Sequence, residues 1–222
     1  MSRDTIECAV AILTKAPIPG LAKTRLIPHL GAKGAAALQA WLLRRTLSTA
    51  HAANLGPVTL WCAPETDHPD FAECQALGPV RLCRQPDVDL GGRMHAAVAE
   101  SSAAGALVIG TLVLGTDCPA LTPEVLHEAA AALREHDAVV IPAEDGGYVL
   151  IGLRQPVHAV FQHVEWSTDR VMAQTRQQLK AAGLTWRELA PLWDVDRFED
   201  VERLLGLYPD VAAVVLPTGG GV

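Results

Sequence analysis

Residues 7–26, ECAVAILTKAPIPGLAKTRL, decide the fold that we expect. The first half of this stretch is an apolar run, and Pro17 leaves no room for a helix, so residues 7–14 are predicted to form a buried β-strand. A loop rich in proline, glycine and basic residues follows at residues 15–26. Ligands of open α/β sheets bind at the carboxyl ends of the strands, so this loop is a candidate binding segment.

The rest of the chain alternates between strand-like and helical patterns. Apolar runs predict strands at residues 58–62, 80–83, 106–115, 137–141 and 148–153, and periodic apolar spacing predicts helices at residues 32–54, 69–76, 91–104, 122–135, 168–182 and 198–207. Continuous apolar strands between helices are typical of a parallel sheet that is buried on both faces. We therefore expect one α/β domain over residues 1–217, with three α/β/α layers and a mostly parallel central sheet, and a flexible tail at residues 218–222.

The composition excludes several classes of protein. Of the 222 residues, 50% are hydrophobic and 19% are charged, which is too apolar for an intrinsically disordered chain. The net charge of −7 disfavours non-specific binding to nucleic acid or to an anionic membrane. No run reaches the about 18 apolar residues of a membrane span, and the cysteines form no CxxC pair, so we expect a reduced, cytoplasmic protein.

Lys15, Lys23 and Arg25 concentrate positive charge in the loop after the first strand. Phosphate is the anion that we expect there, because arginine offers a planar fork of donors and lysine offers a point charge. The loop has neither the GxxxxGK[ST] pattern of a P-loop nor the GxGxxG pattern of a dinucleotide site. A solvated turn whose lysines face water is the alternative interpretation.

Three aspartates are candidate metal ligands. Asp117 follows the predicted strand at residues 106–115, and Asp194 and Asp196 project to one side if their segment is extended. Carboxylate oxygens are ligands of Mg²⁺ or Mn²⁺, so these acids predict a divalent cation beside the phosphates. An aspartate at the end of a strand also serves as a turn or capping residue, which is the alternative for Asp117.

An acidic turn separates the last two predicted strands of the series. It contains Glu144 and Asp145, followed by Gly146 and Gly147. Glycines at such a turn permit positive φ angles and a close approach of the backbone to a ligand. A plain hairpin turn is the alternative.

Five motifs resemble, in order and in wording, the bacterial GT-A-type transferases that are often described as radical-SAM/selenodomain-associated or arsenosugar-type glycosyltransferases. They are KAPIPGLAKTRL at residues 15–26, DLGGRM at 89–94, GTDCP at 115–119, EDGGY at 144–148 and WST at 166–168. The resemblance spans residues 8–205. More distantly, the chain is similar to the 2-phospho-lactate and molybdenum-cofactor guanylyltransferases, whose Asp-Ile-Asp-Thr-Pro-Glu-Asp segment resembles DVDRFED at residues 194–200.

The resemblance implies a nucleotide-diphospho-sugar transferase fold, in which residues 7–120 bind the nucleotide and residues 121–217 bind the acceptor. The nucleotide-binding residues that it implies are Lys15, Pro17, Gly20, Lys23, Thr24, Arg25, Gln85, Arg93 and Asp117, with Gln85 and Arg93 as candidates for contacts to the base or ribose. Asp117 takes the place of an acid of the DxD motif, although the sequence here is Thr-Asp-Cys. The implied acceptor-binding residues are Glu144, Gly146, Gly147, Tyr148 and Trp166.

The reaction that we expect is glycosyl transfer from a nucleotide-diphospho-sugar to a small-molecule acceptor, with Mg²⁺ or Mn²⁺ as cofactor. Lys23 and Arg25 would stabilise the leaving phosphates, and Asp145 would deprotonate the acceptor hydroxyl. Nucleotidyl transfer from a nucleoside triphosphate to a phosphorylated acceptor is the alternative, because the charge of the loop suits a triphosphate. A nucleotide-binding module without turnover is a third possibility, whereas the lack of GxSxG and HExxH motifs argues against a hydrolase.

Overall fold

The computed structural model describes residues 8–103 and 108–215. Its strands are β1 Cys8–Lys15, β2 Val58–Ala63, β3 Arg81–Arg84, β4 Gly110–Leu114, β5 Ala138–Pro142, β6 Tyr148–Leu153 and β7 Trp186–Glu188. The α-helices are α1 Ile27–Ala53, α2 Pro69–Leu77, α3 Leu90–Ala103, α4 Pro123–Glu135, α5 Val171–Ala181, α6 Phe198–Leu207 and α7 Ala212–Val215, with short 3₁₀ turns at Thr24–Leu26, His158–Phe161 and Pro209–Val211.

The seven strands form one sheet in the order β3-β2-β1-β4-β6-β5-β7. Strand β6 pairs antiparallel with β4 and with β5, whereas the other pairings are parallel. Since β6 runs the other way, its first residue, Tyr148, lies at the edge of the sheet where β4 ends. The carboxyl ends of the parallel strands and the amino end of β6 therefore share one edge.

Helices cover both faces of this sheet, so the predicted three-layer α/β class is confirmed. Strand β1 shows why, because its alternating side chains enter two separate cores. Val10 and Ile12 pack with Leu43 and other residues of α1, α2 and α4. On the opposite face, Ala11 packs with Met94 and with residues of α3 and α5.

Several predicted boundaries are wrong. Helix α1 begins at Ile27, five residues before the predicted start. Gly31, with a φ of 68°, separates this first turn from the body of the helix. Strand β4 begins at Gly110, later than predicted, and the sequence pattern gave no sign of the three-residue strand β7. The expected tail at residues 218–222 lies outside the described residues.

No helix within residues 8–103 and 108–215 has both the length and the apolar character needed to cross a bilayer.

Glycine 152 provides a test of the packing in the middle of the sheet. A Cβ at this residue would lie 2.6 Å from Val139 Cγ1 and 2.8 Å from Leu112 Cδ2, both in packed core side chains. We expect Gly152→Ala to lower the free energy of unfolding by about 1–3 kcal/mol, as overpacked cores do.

Gly206→Ala is the matched control, because nothing lies within 4 Å of its Cβ position on α6. There alanine should raise stability by about 0.5–1 kcal/mol through helix propensity. Urea titration of both variants measures the difference, and equal effects would contradict this description of the core.

Candidate active site

A cavity of about 500 Å³ opens at the shared edge of the sheet, and we call it the main cavity. Its lining comes from the ends of β1 and β4, the start of β6 and the loops that follow. Of the residues predicted from the sequence, Lys15, Lys23, Thr24, Arg25, Gln85, Arg93, Asp117, Tyr148, Asp194 and Asp196 line it. The other predicted residues lie outside the lining, namely Pro17, Gly20, Glu144, Asp145, Gly146, Gly147 and Trp166.

Lys23 links the basic loop to both acidic segments. Its Nζ lies 2.7 Å from Asp117 Oδ1 and donates to the backbone oxygen of Val195 at 2.6 Å. The Lys23 side chain is only 6% exposed, and its backbone is left-handed, with a φ of 47°. A buried ammonium requires such partners, so these contacts fix the loop over the end of the sheet.

Arg25 and Lys15 are the exposed cations of the same loop. Arg25 Nη1 forms an ion pair with Asp196 Oδ2, and the Arg25 side chain is 65% exposed. Ion pairs this exposed contribute only about 0–1 kcal/mol, so Arg25 can turn towards a ligand at small cost. Lys15 stands exposed at the end of β1. Pro17 and Gly20 shape the loop, Pro17 by burial and Gly20 through a φ of 87°.

Residues 194–196 are held against the end of β4. The buried Val195 packs against α1, and its backbone nitrogen donates to the backbone oxygen of Asp117 at 2.8 Å. This pairing brings Asp194 and Asp196 into the same cavity as Asp117. The three acids that the sequence analysis selected therefore meet at one site.

The acids differ in how well their charge is compensated. The pKa of Asp194 is raised to about 6, chiefly by burial and in addition by the negative charges of Asp145 and Asp117, while Lys23 opposes the shift. Carboxylate oxygens are hard donors, so Asp117 and Asp194 fit Mg²⁺ or Mn²⁺. Asp117 is at the same time paired with Lys23, and Asp196 is paired with Arg25. The described residues contain no preassembled group of three or more potential ligands.

The acidic turn between β5 and β6 directs its two carboxylates to different partners. Glu144 accepts a hydrogen bond from Arg203 of α6 at 2.9 Å. Asp145 Oδ1 accepts one from the backbone nitrogen of Gly147 at 2.9 Å, and its charge acts on Asp194. Asp145 is therefore the carboxylate of this turn that lies near the other site acids.

Gly146 and Trp166 make packing contacts. Gly146 has a φ of 93°, and a Cβ there would lie 2.3 Å from the backbone oxygen of Asp169, so the position requires glycine. Trp166 packs against Gly91, where a Cβ would lie 2.6 Å from the indole. Its ring also meets that of Tyr148 edge-on, at 6.4 Å between centroids. Trp166 thus supports Tyr148, which reaches the main cavity itself.

A second cavity of about 340 Å³, the side cavity, shares Lys15, Gln85 and Arg93 with the main cavity. The Gln85 side chain amide donates to the backbone oxygens of Thr14 and Trp61, each at 2.8 Å. Its Oε1 accepts a hydrogen bond from Arg93 Nη1 at 3.3 Å. Gln85 therefore joins the ends of β1 and β2 and orients Arg93, so its polar atoms are already engaged within the protein.

The sequence analysis missed Gln39. This buried residue of α1 donates to Thr116 Oγ1 at 3.0 Å and to Thr14 Oγ1 at 3.3 Å, and it lines the main cavity. It ties the helix to the ends of β1 and β4. A glutamine among the alanines and leucines of an amphipathic helix is the signal that points to such a residue.

The raised pKa of Asp194 predicts a pH-dependent stability. The folded state holds the Asp194 proton up to about pH 6, whereas an unfolded chain releases it near the ordinary aspartate pKa of 3.8. The unfolded state is therefore favoured increasingly as pH rises between these values, and the full penalty is present above the folded pKa. In EDTA at pH 8, we expect Asp194→Asn to raise the free energy of unfolding by about 1–3 kcal/mol. The difference should vanish near pH 4, as urea titrations at the two pH values would measure.

Glu202→Gln provides the control for this experiment, because Glu202 is exposed on α6 and loses the same charge. Its effect should be small at both pH values. If Asp194→Asn leaves the free energy of unfolding unchanged at pH 8, the pKa of Asp194 is not raised. The described proximity of the carboxylates is then wrong.

Solved structures of similar fold include several nucleotide-using proteins. A provisionally assigned nucleotide-diphospho-sugar transferase from Desulfovibrio desulfuricans G20 is 28% identical, with a TM-score of 0.80 and coverage of 89% of this chain and 85% of that chain. A cytidylyltransferase from Leptospira borgpetersenii serovar Hardjo-bovis is 14% identical, with a TM-score of 0.59 and coverage of 97% and 99%. Rv0371c from Mycobacterium tuberculosis H37Rv, solved as a manganese complex, is 16% identical, with a TM-score of 0.51 and coverage of 90% and 98%. The predicted nucleotide-diphospho-sugar transferase type of fold is confirmed.

Comparison of the sequence with known protein families identifies the family of this chain. None of the curated proteins compared with the chain matches it. One family profile matches residues 46–168, which is more than half of the chain and includes the segments at 89–94, 115–119 and 144–148. The chain therefore belongs to the family described as uncharacterised proteins conserved in bacteria, DUF2064.

Proposed function

We propose that the protein is a metal-dependent enzyme that transfers a glycosyl group from a nucleotide-diphospho-sugar to a small-molecule acceptor. One observation carries the proposal: four cationic and three carboxylate side chains line a single cavity at the ligand-binding edge of the sheet. Cations suit the phosphates of the donor, and carboxylates suit a divalent cation. The transferase names of two structural neighbours, a nucleotide-diphospho-sugar transferase and a cytidylyltransferase, support an enzyme of this general kind.

Lys15 and Arg93 are the residues that we expect to meet the donor phosphates first. Both border the main and the side cavity, so an anion between them leaves one cavity for the nucleoside and the other for the transferred group. Arg93 Nε donates a hydrogen bond to the backbone oxygen of Val88, and Arg93 Nη1 donates one to Gln85 Oε1. A guanidinium has five N–H groups, so three remain for a ligand. Arg25 and Lys23 would add to this site when they exchange their aspartate partners for phosphate.

Asp117 and Asp194 are the residues that would hold Mg²⁺ or Mn²⁺. When bound, such an ion supplies Lewis-acid neutralisation of the diphosphate that leaves. The manganese complex of a structural neighbour supports this choice of cation. Asp196 would remain the partner of Arg25 until that arginine turns to the donor.

The acceptor side of the main cavity favours glycosyl over nucleotidyl transfer. The Tyr148 hydroxyl contacts Met94 Sδ at 3.6 Å, and Leu90 follows the same face of α3. This part of the wall, formed by Tyr148, Met94 and Leu90 beside Arg93, presents uncharged side chains that suit an acceptor hydroxyl group. Asp145 would then take the proton of that hydroxyl as a general base.

Nucleotidyl transfer is the second candidate, and the four cations of the main cavity favour it because a triphosphate carries more negative charge. The two reactions release different products, a nucleoside diphosphate or pyrophosphate. Mass spectrometry of reactions with sugar nucleotides or nucleoside triphosphates, after identification of any nucleotide retained by the purified protein, separates them. Binding without either product would leave a nucleotide-binding module and overturn the proposed activity.

The cytoplasm is the location that we propose for this activity. Cys62, Cys74, Cys83 and Cys118 are free thiols, and three of these four are buried. Reduced cysteines are typical of cytoplasmic proteins, so this observation supports the compartment expected from the sequence.

Arg93 is the best residue for testing the phosphate site. Arg93→Ala should weaken the binding of nucleoside diphosphates by about 1.5–3 kcal/mol, the usual size of a charged hydrogen bond. Titration calorimetry with UDP, GDP, CDP and ADP in Mg²⁺ measures the change. Arg187→Ala is the control, because Arg187 is exposed on the edge strand β7. Equal affinities in the two variants would exclude Arg93 from the site.

Asp145 tests the choice between the two reactions. A hydroxyl acceptor gains about 10²–10⁴-fold from a carboxylate base, whereas an ionised phosphate acceptor gains little. We expect Asp145→Asn to lower turnover at least about 10²-fold and to change donor affinity only a few-fold. Glu144→Gln should retain turnover, since Glu144 is bonded to Arg203. Full turnover of Asp145→Asn, together with acceptor-dependent release of pyrophosphate, would replace glycosyl by nucleotidyl transfer.

A further inference from the structure

Lys23 differs from the other cations of the main cavity in its surroundings. Lys15 is exposed, and Arg25 is 65% exposed, but the side chain of Lys23 is 6% exposed. The Lys23 ammonium contacts Asp117 Oδ1 at 2.7 Å and the backbone oxygen of Val195 at 2.6 Å. It therefore occupies a defined position among the site acids rather than pointing into solvent to await an anion.

Two cations would compete for Asp117, namely the Lys23 ammonium and a bound divalent ion. Asp117 is the carboxylate that Lys23 neutralises, and it is also one of the two acids suited to a divalent cation. An ion held by Asp117 and Asp194 would lie close to the Lys23 ammonium, and like charges repel strongly at short range in a partly buried site. Removal of the ammonium from its partners is also costly, because few water molecules can replace them.

We propose that Lys23 is the resident counter-ion of the carboxylate site and competes with a divalent cation for Asp117 until donor phosphate takes over the ammonium. This inference rests on the proposed function, because it requires a site that takes both metal and nucleotide. Lysine has a flexible four-carbon stem, and Lys23 lines the same cavity as Lys15. Phosphate bound in that cavity provides the ammonium with a new anionic partner. Metal and nucleotide should then strengthen each other's binding, as linkage requires.

The experiment measures Mn²⁺ binding to the protein from the electron paramagnetic resonance signal of the free ion. Without nucleotide, we expect Lys23→Met and Lys23→Gln to bind Mn²⁺ about tenfold more tightly than the unaltered protein. Addition of a nucleoside diphosphate should tighten Mn²⁺ binding to the unaltered protein and should do so much less in the two variants. Lys180→Met is the matched control, because it removes an equal charge from the exposed end of α5 and should leave the affinity unchanged.

Two variants are used so that loss of the loop structure does not decide the result. Glutamine at residue 23 can still donate to the Val195 oxygen, and circular dichroism shows which variants are folded. Equal or weaker Mn²⁺ binding in a folded variant, with normal binding to the unaltered protein, would overturn the role of Lys23 and leave the proposed function intact. No Mn²⁺ binding to the unaltered protein, with or without nucleotide, would overturn the metal-dependent function and this inference with it.

Discussion

The contact between the buried Lys23 ammonium and Asp117 is the interaction on which the arrangement of the site depends. Lys23 also binds the Val195 backbone, which is 172 residues away in the sequence, and Val195 in turn donates to the Asp117 backbone. Three loops that leave the sheet at different strands are thereby joined at one point. Loops at the end of a sheet are otherwise its most mobile parts, so a few well-paired groups must determine where their side chains lie.

Two buried glutamines provide a second set of hydrogen bonds beneath these loops. Buried polar groups require hydrogen bonds. Gln85 donates to the backbone oxygens of Thr14 and Trp61, and Gln39 donates to the hydroxyls of Thr14 and Thr116. The floor of the main cavity is therefore polar and fixed. Arg93 gains its orientation from the same glutamine that closes the ends of β1 and β2.

The sequence predicted the strands and helices of the fold and the residue types of the site. It predicted less well which side chains of the site bond to one another. The apolar run of β1 and the alternation with helices are local patterns, so the α/β class followed from them directly. The first turn of α1 lies before Gly31 and outside the periodic apolar pattern, so the predicted start of this helix was wrong. Lys23 was expected to face phosphates, but it is bonded to Asp117. Such a pairing depends on how distant loops meet, which periodicity does not determine.

The charges at the site explain how an acidic protein can take an acidic ligand. With a net charge of −7, the molecule as a whole repels a free nucleotide, and that repulsion is screened only beyond about 10 Å. The four cations of the main cavity face three aspartates, so little uncompensated positive charge remains to attract the donor. Under the proposed function, a nucleotide that arrives with a divalent cation would carry two fewer negative charges and would bring an ion that suits the aspartates. The exposed Arg25 would then exchange Asp196 for phosphate at small cost, whereas Lys23 would leave Asp117 only when that cation replaces it.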